Sequence, residues 1–185
     1  MESELKIVVF DTETTGLTKP MPTDLIFQPF MTEIYCFKMD ENFNKLDEFE
    51  SMVKPPIPIS PEITKITGIT DEDVKDAPTF FEIYDSLYSF FDGVDVVVGH
   101  NVAFDIDVIH YELMRHDLDK KFCYPKRHIC TVESSYHLEN KRLTLQKLHE
   151  KLFGVGFDGG HRAANDVMAT AKCFVDLCQS GDIVL

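Results

Sequence analysis

The chain has 185 residues, of which 44% are hydrophobic, and it is long enough to bury about 70% of its unfolded surface. We therefore expect one domain over residues 1–185. No apolar run approaches the roughly 20 residues of a bilayer-spanning helix, and acidic residues stand near the N-terminus, where a secretory signal carries basic ones. These features argue against a membrane protein and predict a soluble, cytoplasmic one.

The formal net charge of −14 is unfavourable for binding phosphate groups, but the charges are unevenly distributed. Residues 1–118 carry 24 acidic and 8 basic side chains, whereas residues 119–185 carry 8 acidic and 10 basic ones. The basic side chains of the second segment either flank a groove for a nucleic acid or form an ordinary solvated face. Those before position 152 are Lys120, Lys121, Lys126, Arg127, Lys141, Arg142, Lys147 and Lys151.

Five cysteines, an odd number without dense spacing, predict reduced thiols rather than a disulfide framework. They are Cys36, Cys123, Cys130, Cys173 and Cys178. Two of them flank His128, but the chain has no C-x-x-C pair, so we predict no zinc site.

In chain order, the first predicted elements are strands. The apolar, β-branched segment at residues 5–10 predicts a buried strand. Segments 32–39 and 47–53 predict an antiparallel pair joined by a hairpin turn at residues 40–44. A proline-rich segment then predicts a rigid, extended connection to the second part of the chain.

Helices dominate the rest of the chain. A proline and a glycine predict the start and the end of a helix over residues 61–67, and Thr70 resembles a second helix cap. The remaining predicted elements are a helix at 79–91, a strand at 94–99, a helix at 101–115, a strand at 127–131, and helices at 143–152 and 162–179. This order predicts an α/β domain with a mixed sheet, in which sites form beyond the C-terminal ends of strands.

Two carboxylates stand at the end of the first predicted strand, in the motif FDTETTGL at residues 10–17. Side chains two residues apart project from the same face of a strand, so Asp11 and Glu13 point together and Thr12 points away. Adjacent carboxylates repel each other unless a cation lies between them, and hard oxygen ligands favour Mg²⁺ or Mn²⁺ over zinc. Taken alone, such a pair is more typical of an acidic strand end that faces water.

Two further motifs each place a carboxylate near the start of a helix, HNVAFD at residues 100–105 and HRAAND at residues 161–166. Alone, Asp105 and Asp166 are typical of acids favoured by a helix dipole, and His161 of a cap or surface residue. Together the three motifs supply four carboxylates and one imidazole, the ligand and base set of a two-metal nuclease. They predict phosphodiester hydrolysis.

These residues, in this order, resemble the DEDDh family of 3′-to-5′ exonucleases, which includes the proofreading ε subunit of bacterial DNA polymerase III. Asp11 and Glu13 match the first family motif, Asp105 the second and Asp166 the third, and His161 matches the histidine of the family name. The segment SPEITKITGIT is also similar to ε-like members. The resemblance covers nearly the whole chain and implies a ribonuclease H-like fold with a five-stranded mixed sheet flanked by helices.

The resemblance also implies two divalent metal ions, Mg²⁺ or Mn²⁺, held by Asp11, Glu13 and Asp166. Asp105 supports the site directly or through water, and His161 takes a proton from the attacking water. The residues implied to contact the terminal nucleotide are Thr14, Thr15, Leu17, Asn101 and Phe104. For Leu17 and Phe104, ordinary core packing is the alternative.

The implied substrate is a nucleic acid 3′ end. Release of nucleoside 5′-monophosphates from single-stranded or frayed DNA, in proofreading, repair or DNA processing, is the leading interpretation, because the first motif looks more like ε-type members than like oligoribonuclease. An exoribonuclease with the same catalytic residues is the nearest alternative, and a catalytically silent module associated with a DNA polymerase is the second. The sequence leaves open the polymerase partner, the pathway and the oligomeric state.

A histidine base predicts a pH-dependent rate. The pKa of an imidazole in water is about 6.5, so we expect the rate of an enzyme with a histidine base to rise from about pH 6 to about pH 8. The measurement is the initial rate at saturating substrate and metal ion, under conditions in which chemistry limits turnover. A flat profile would exclude His161 as the base.

Overall fold

A five-stranded mixed sheet forms the middle layer of the structure, a computed structural model that describes residues 5–122 and 124–185. The strands are β1 (Ile7–Thr14), β2 (Met31–Met39), β3 (Lys45–Met52), β4 (Val96–Gly99) and β5 (Arg127–Cys130). They lie in the order β3-β2-β1-β4-β5, with β2 antiparallel to β1 and β3, and with β4 parallel to β1 and β5. The predicted fold class, an α/β ribonuclease H-like fold, is confirmed.

Helices cover both faces of this sheet. In the described ranges the α-helices are α1 (Pro61–Thr67), α2 (Asp71–Val74), α3 (Phe80–Phe91), α4 (Val102–Arg115), α5 (Thr131–Ser134), α6 (Leu145–Phe153) and α7 (Ala163–Gln179). The predicted helices agree with these bounds to within two residues, and Thr70 caps α2 through a capping box with Asp73. The sequence analysis missed α5 and the 3₁₀ turns Leu25–Phe27 and Tyr136–Leu138, because such short turns contain no full apolar period.

The first strand is longer than the sequence predicts. The apolar run stops at residue 10, but β1 continues to Thr14, because β2 pairs with it along this whole length. Asp11 lies opposite Tyr35, and Glu13 lies opposite Glu33. The strand thus extends four residues beyond the apolar run, and both carboxylates lie inside the sheet near its C-terminal end, where the ladder of hydrogen bonds fixes the direction of their side chains.

Each face of the sheet has its own hydrophobic core. Ile7 and Val9 of β1 pack in a cluster with α7, whereas Val8 and Phe10 pack in a cluster with α3 and α4. Burial on both faces explains why the central strands read as continuous apolar runs. Because side chains alternate along a strand, the odd-numbered residues that follow in β1 continue the row facing α7, and the even-numbered ones continue the row facing α4.

The parallel strands β1, β4 and β5 end on the same side of the sheet, which we call the upper edge. Helix α4 starts there, directly after β4. Arg127 lies on the opposite edge, because it pairs with Val96 at the start of β4, and Lys126 precedes it. The hypothesis that these two basic residues flank a groove at the upper edge is therefore wrong.

Four of the cysteines, Cys36, Cys130, Cys173 and Cys178, are free thiols, in agreement with the predicted reduced state. Cys123 and the acidic N-terminal residues 1–4 lie outside the described residues. Across the part of the chain that is described, no helix has both the length and the apolar character to cross a membrane.

Candidate active site

Three carboxylates meet at the upper edge of the sheet. Asp11 and Glu13 belong to β1, and Asp166 belongs to the first turn of α7. Each offers one oxygen atom, and these oxygens lie within 4.8 Å of one another. Oxygens that share one cation at 2.0–2.6 Å lie at most about 5 Å apart, so this acidic cluster has the dimensions of a cation site.

The fourth predicted carboxylate, Asp105, reaches β1 from the other face of the sheet. It lies in the first turn of α4 and is 2% exposed. Its Oδ1 accepts hydrogen bonds from the backbone N of Thr12 at 2.9 Å and from Thr12 Oγ1 at 2.8 Å. Asp105 is therefore a neighbour of the acidic cluster rather than one of its three members. Thr12 holds it in place, a role that the sequence analysis did not assign.

Burial and crowding raise the pKa values of all four carboxyl groups. Desolvation is the main reason why the pKa of Asp11 lies well above its usual range, and repulsion by Asp105 and Asp166 adds to it. Desolvation also raises the pKa of Glu13 to about 8, and that of Asp105 to about 7 in spite of the hydrogen bonds from Thr12. The pKa of Asp166 is raised, again mainly by desolvation. Without a cation the cluster therefore holds protons near neutral pH, and its hard oxygen donors fit a divalent ion.

The acidic cluster opens into a cavity of about 690 Å³. His161 lines this cavity together with Asp11 and Asp166, and its backbone N donates a hydrogen bond to Asp166 Oδ2 at 2.9 Å. His161 has a φ of +64°, in the left-handed region, so the chain turns sharply just before α7. The other lining residues, which the sequence analysis did not assign to the site, are His100, Thr144, Leu145, Gln146, Phe157 and Gly160.

Glu33, on β2, fixes the start of α7 and was also missed. Its side chain is buried, and Arg162 donates to its Oε1 from Nη2 at 2.7 Å. The backbone N of Ala163 donates to Oε2 at 2.9 Å, so Glu33 satisfies a free N–H group of the first turn of α7. Glu33 thereby positions the helix that carries Asp166. The only sequence feature that could have indicated this role is an acidic residue within an apolar strand.

His100 tethers the loop in front of α6. Its Nδ1 lies 2.9 Å from Thr131 Oγ1, and its Nε2 lies 3.1 Å from the carbonyl oxygen of Leu143. Burial lowers the pKa of His100 to about 4, so the ring is neutral at physiological pH. Nε2–H then donates to Leu143, and Nδ1 accepts from the hydroxyl of Thr131. The histidine of the second motif is thus suited to hold a cavity wall rather than to act as a base.

Of the residues predicted to contact substrate, Thr14 is the last residue of β1, and Thr15 and Leu17 lie in the turn that follows. Thr14 Oγ1 donates to the carbonyl oxygen of Gly16 at 2.6 Å, and Thr15 Oγ1 accepts from the backbone N of Phe30 at 3.0 Å. Both hydroxyls therefore brace the turn. Leu17 is 81% exposed, which excludes core packing for its side chain.

The other two predicted contact residues lie at the start of α4. Asn101 has a φ of +74°, and its Oδ1 accepts from Arg142 Nη2 at 3.1 Å. Arg142 also pairs with Glu133, so one residue of the basic segment stands beside the start of α4 at the upper edge. Phe104 is half-buried and packs against the core between the sheet and helices α3 and α4, which favours the packing role for most of its ring.

Comparison with known protein families matches residues 8–174 to the RNase T model, described as "Exonuclease". The chain belongs to this exonuclease family. It is also 36% identical over 178 residues to "DNA polymerase III PolC-type" of Caldanaerobacter subterraneus, and 36% identical over 172 residues to the protein of that name from Streptococcus pneumoniae. These matches cover 95% and 92% of the chain but 12% and 11% of the two relatives.

Solved structures of exonucleases share the fold. The nuclease domain of 3′hExo, described as a DEDDh family member bound to rAMP, is 20% identical with a TM-score of 0.75, covering 97% of this chain and 94% of that one. E. coli Exonuclease I in complex with a dT13 oligonucleotide is 20% identical with a TM-score of 0.73, covering 95% and 41%. The resemblance to DEDDh exonucleases is therefore confirmed at the level of family and fold.

Stability of this exonuclease without metal ions should fall as the pH rises. In the folded protein the pKa of Glu13 is about 8 and that of Asp105 about 7, whereas both lie near 4 in an unfolded chain. Between pH 4 and pH 8 the folded state therefore binds more protons than the unfolded state. The stability that this proton binding contributes is lost as the pH rises through the folded pKa values. We expect the Tm in EDTA to decrease between pH 5.5 and 8.5, and Mn²⁺ to raise it more at pH 8.5. Asp11→Asn should flatten both responses, whereas Asp85→Asn, on the exposed side of α3, should not. An unchanged pH slope in Asp11→Asn would contradict the raised pKa of Asp11 in the folded state.

Glu33→Gln should loosen the start of α7. The change removes the ion pair with Arg162 but leaves a side-chain oxygen to accept from the N–H of Ala163. We expect the free energy of unfolding to fall by about 1–3 kcal/mol. This range allows for the partial exposure of Arg162, which weakens the ion pair. Urea unfolding in EDTA measures it. The matched control is Glu72→Gln, which removes an exposed ion pair with Lys75 and should cost less than about 0.5 kcal/mol. Equal losses in the two variants would argue against a special role of Glu33.

Proposed function

We propose that this chain forms one exonuclease domain over residues 1–185 that hydrolyses phosphodiester bonds from the 3′ ends of single-stranded or frayed DNA and releases nucleoside 5′-monophosphates. The observation that carries the proposal is the gathering of Asp11, Glu13 and Asp166 around the cavity lined by His161. Two divalent cations, Mg²⁺ or Mn²⁺, are the proposed cofactors. Proofreading, repair or DNA processing, with a DNA polymerase as a possible partner, is the proposed context.

The acidic residues and His161 have different roles in the proposed hydrolysis. Asp11, Glu13 and Asp166 hold the cations, which when bound lower the pKa of water and stabilise the leaving 3′ oxygen. Asp105 keeps its carboxylate against β1 through Thr12 and adds negative charge beside the cations. His161, at the cavity wall, accepts the proton of the attacking water.

The terminal nucleotide enters the same cavity. Leu17 presents an exposed apolar side chain next to the turn that Thr14 and Thr15 brace, and it suits contact with the last base. Asn101 and the exposed part of Phe104 border the start of α4 on the other side. These contacts use stacking and shape rather than base-edge hydrogen bonds, so they suit a nuclease that accepts any terminal base.

Relatives with 36% identity that carry the name of a DNA polymerase favour DNA over RNA as the substrate. An exoribonuclease is the second candidate, because the catalytic residues are the same for both substrates. Among proteins with the same fold, one structure describes recognition of a histone mRNA stem-loop by a 3′-exonuclease, and another holds Exonuclease X with duplex DNA. The fold therefore accommodates either polymer.

The test is release of mononucleotides from 5′-labelled DNA and RNA oligomers of the same sequence, in Mg²⁺, Mn²⁺ or EDTA. We expect stepwise shortening of DNA that stops in EDTA and in Asp11→Ala. Asp107→Ala removes an exposed carboxylate from α4, two residues beyond Asp105, and should keep full activity. Preference for RNA would establish the exoribonuclease, and no cleavage of either would favour a binding module.

His161→Ala separates the base from the metal ligands. We expect the rate to fall about 10²- to 10⁴-fold, the usual contribution of general base catalysis. The rise in Tm on addition of Mn²⁺ should persist, because the acidic cluster stays intact. Loss of that rise would show that His161 holds the site together instead of accepting a proton.

A further inference from the structure

The segment between α6 and α7, residues 155–160, leads to His161 and forms part of the wall of the active-site cavity. Phe157 and Gly160 of this segment line the cavity together with His161. Phe157 also lines a second cavity, of about 270 Å³, in which His149 is exposed to the same space. Because Phe157 borders two cavities, the position of the segment depends on particular contacts rather than on close packing all around it.

His149, on α6, holds the start of this segment. The residue is 5% exposed, and its Nδ1 lies 2.8 Å from the carbonyl oxygen of Val155. A carbonyl oxygen can only accept a hydrogen bond, so Nδ1 carries the proton and donates. Gly154 ends α6 in the left-handed conformation, and Val155 is the next residue. The hydrogen bond therefore fixes the direction in which the chain leaves the helix.

The ring of His149 also supports the cavity wall. Its centre lies 5.5 Å from the centre of the Phe157 ring. Phe157 in turn lies beside Gly160, since a Cβ atom added to Gly160 would be 3.7 Å from the Phe157 ring and 3.8 Å from Asp166 Oδ1. The contacts thus run without a break from His149 to the residue that precedes His161.

His161 itself has a backbone conformation that needs such support. Its φ of +64° is one that residues other than glycine adopt only where the surrounding structure holds them. From α7, Asn165 Nδ2 donates to the carbonyl oxygen of Gly159 at 2.8 Å, and Asp166 accepts from the backbone N of His161. From α6, His149 supplies the hydrogen bond to the start of the segment. The approach to His161 is therefore fixed by two helices.

We propose that His149 is a positioning residue of the hydrolysis, because its hydrogen bond to Val155 keeps residues 155–160 in place and holds the His161 imidazole where it accepts the proton of the attacking water. The proposal rests on the proposed exonuclease function. A general base acts only within hydrogen-bonding reach of the proton that it accepts, and a displacement of about 1 Å can lower a rate about 10²-fold. Loss of the hydrogen bond should therefore lower kcat rather than weaken substrate binding.

The experiment separates the hydrogen bond of His149 from its aromatic packing. His149→Phe keeps a ring beside Phe157 but has no donor, and we expect its kcat on a thymidine 12-mer to fall about 5- to 100-fold, with KM within about twofold of the unmodified protein. His149→Asn loses the ring but keeps a donor nitrogen bonded to Cγ, and should retain kcat to within about threefold. Ile83→Val is the control for stability alone. Ile83 is buried on α3, so this change should lower the Tm and leave kcat unchanged.

A double variant tests whether the loss passes through His161. When His161→Ala is already present, adding His149→Phe should lower the residual rate by less than about twofold. If the same factor is lost with and without His161, His149 merely stabilises the fold and the proposal is wrong. An unchanged kcat in His149→Phe, or an equally large loss in His149→Asn, would also overturn it.

The position of the His161 imidazole can be measured without cleavage, by nuclear magnetic resonance of protein in which the histidine rings carry ¹³C. The signal that is missing from His161→Ala identifies this ring. We expect the signal to shift in His149→Phe and to stay in place in His149→Asn and Ile83→Val. If the unmodified protein cleaves no substrate, the proposed function fails, but this shift still supports the positioning of His161 by His149. An unshifted signal in His149→Phe would contradict that positioning.

Discussion

Repulsion among four carboxyl groups is the constraint on which the site depends. Asp11, Glu13 and Asp166 each offer an oxygen within 4.8 Å of the other two, and Asp105 lies close to them on the other face of β1. Desolvation by burial and, in addition, this repulsion raise the pKa values of Asp11 and Glu13, so without a cation these groups favour their protonated forms. The fold therefore favours the binding of positive charge at this point of the upper edge, and a divalent cation would supply that charge most directly.

The scaffold resists this repulsion because the four acids are attached to three rigid elements, β1, α4 and α7. The β1–β2 ladder fixes the two acids of β1, and Thr12 fixes Asp105 through two hydrogen bonds. Glu33 and Arg162 fix the start of α7 and with it Asp166. Acids thus serve two purposes in this structure. Asp11, Glu13 and Asp166 form the acidic cluster, whereas Glu33 positions the helix that carries Asp166. The charge of Glu33 also raises the pKa of Glu13 further.

Substrate recognition on an acidic protein has to rely on something other than a broad positive surface. The proposed substrate, a strand end, would place few phosphates at the cavity, and Arg142 stands beside the start of α4. The loop after β1 carries one acidic and one basic side chain, and Leu17 and Phe27 are exposed on it. Weak electrostatic attraction over most of the surface suits the proposed substrate, a strand end, better than a long duplex.

The order of predicted strands and helices indicated an α/β domain, and local periodicity and caps located the long helices to within two residues. The motifs and their resemblance to DEDDh exonucleases identified the acids, and the two-residue spacing of Asp11 and Glu13 placed them on one face. The length of β1, the hydrogen bonds from Thr12 to Asp105 and the contact of Glu33 with the start of α7 became apparent only in the folded structure. These features depend on strand pairing and on contacts between residues far apart in the chain, which no local pattern encodes. Thr12 and Asp105 are separated by 93 positions, and Glu33 and Arg162 by 129.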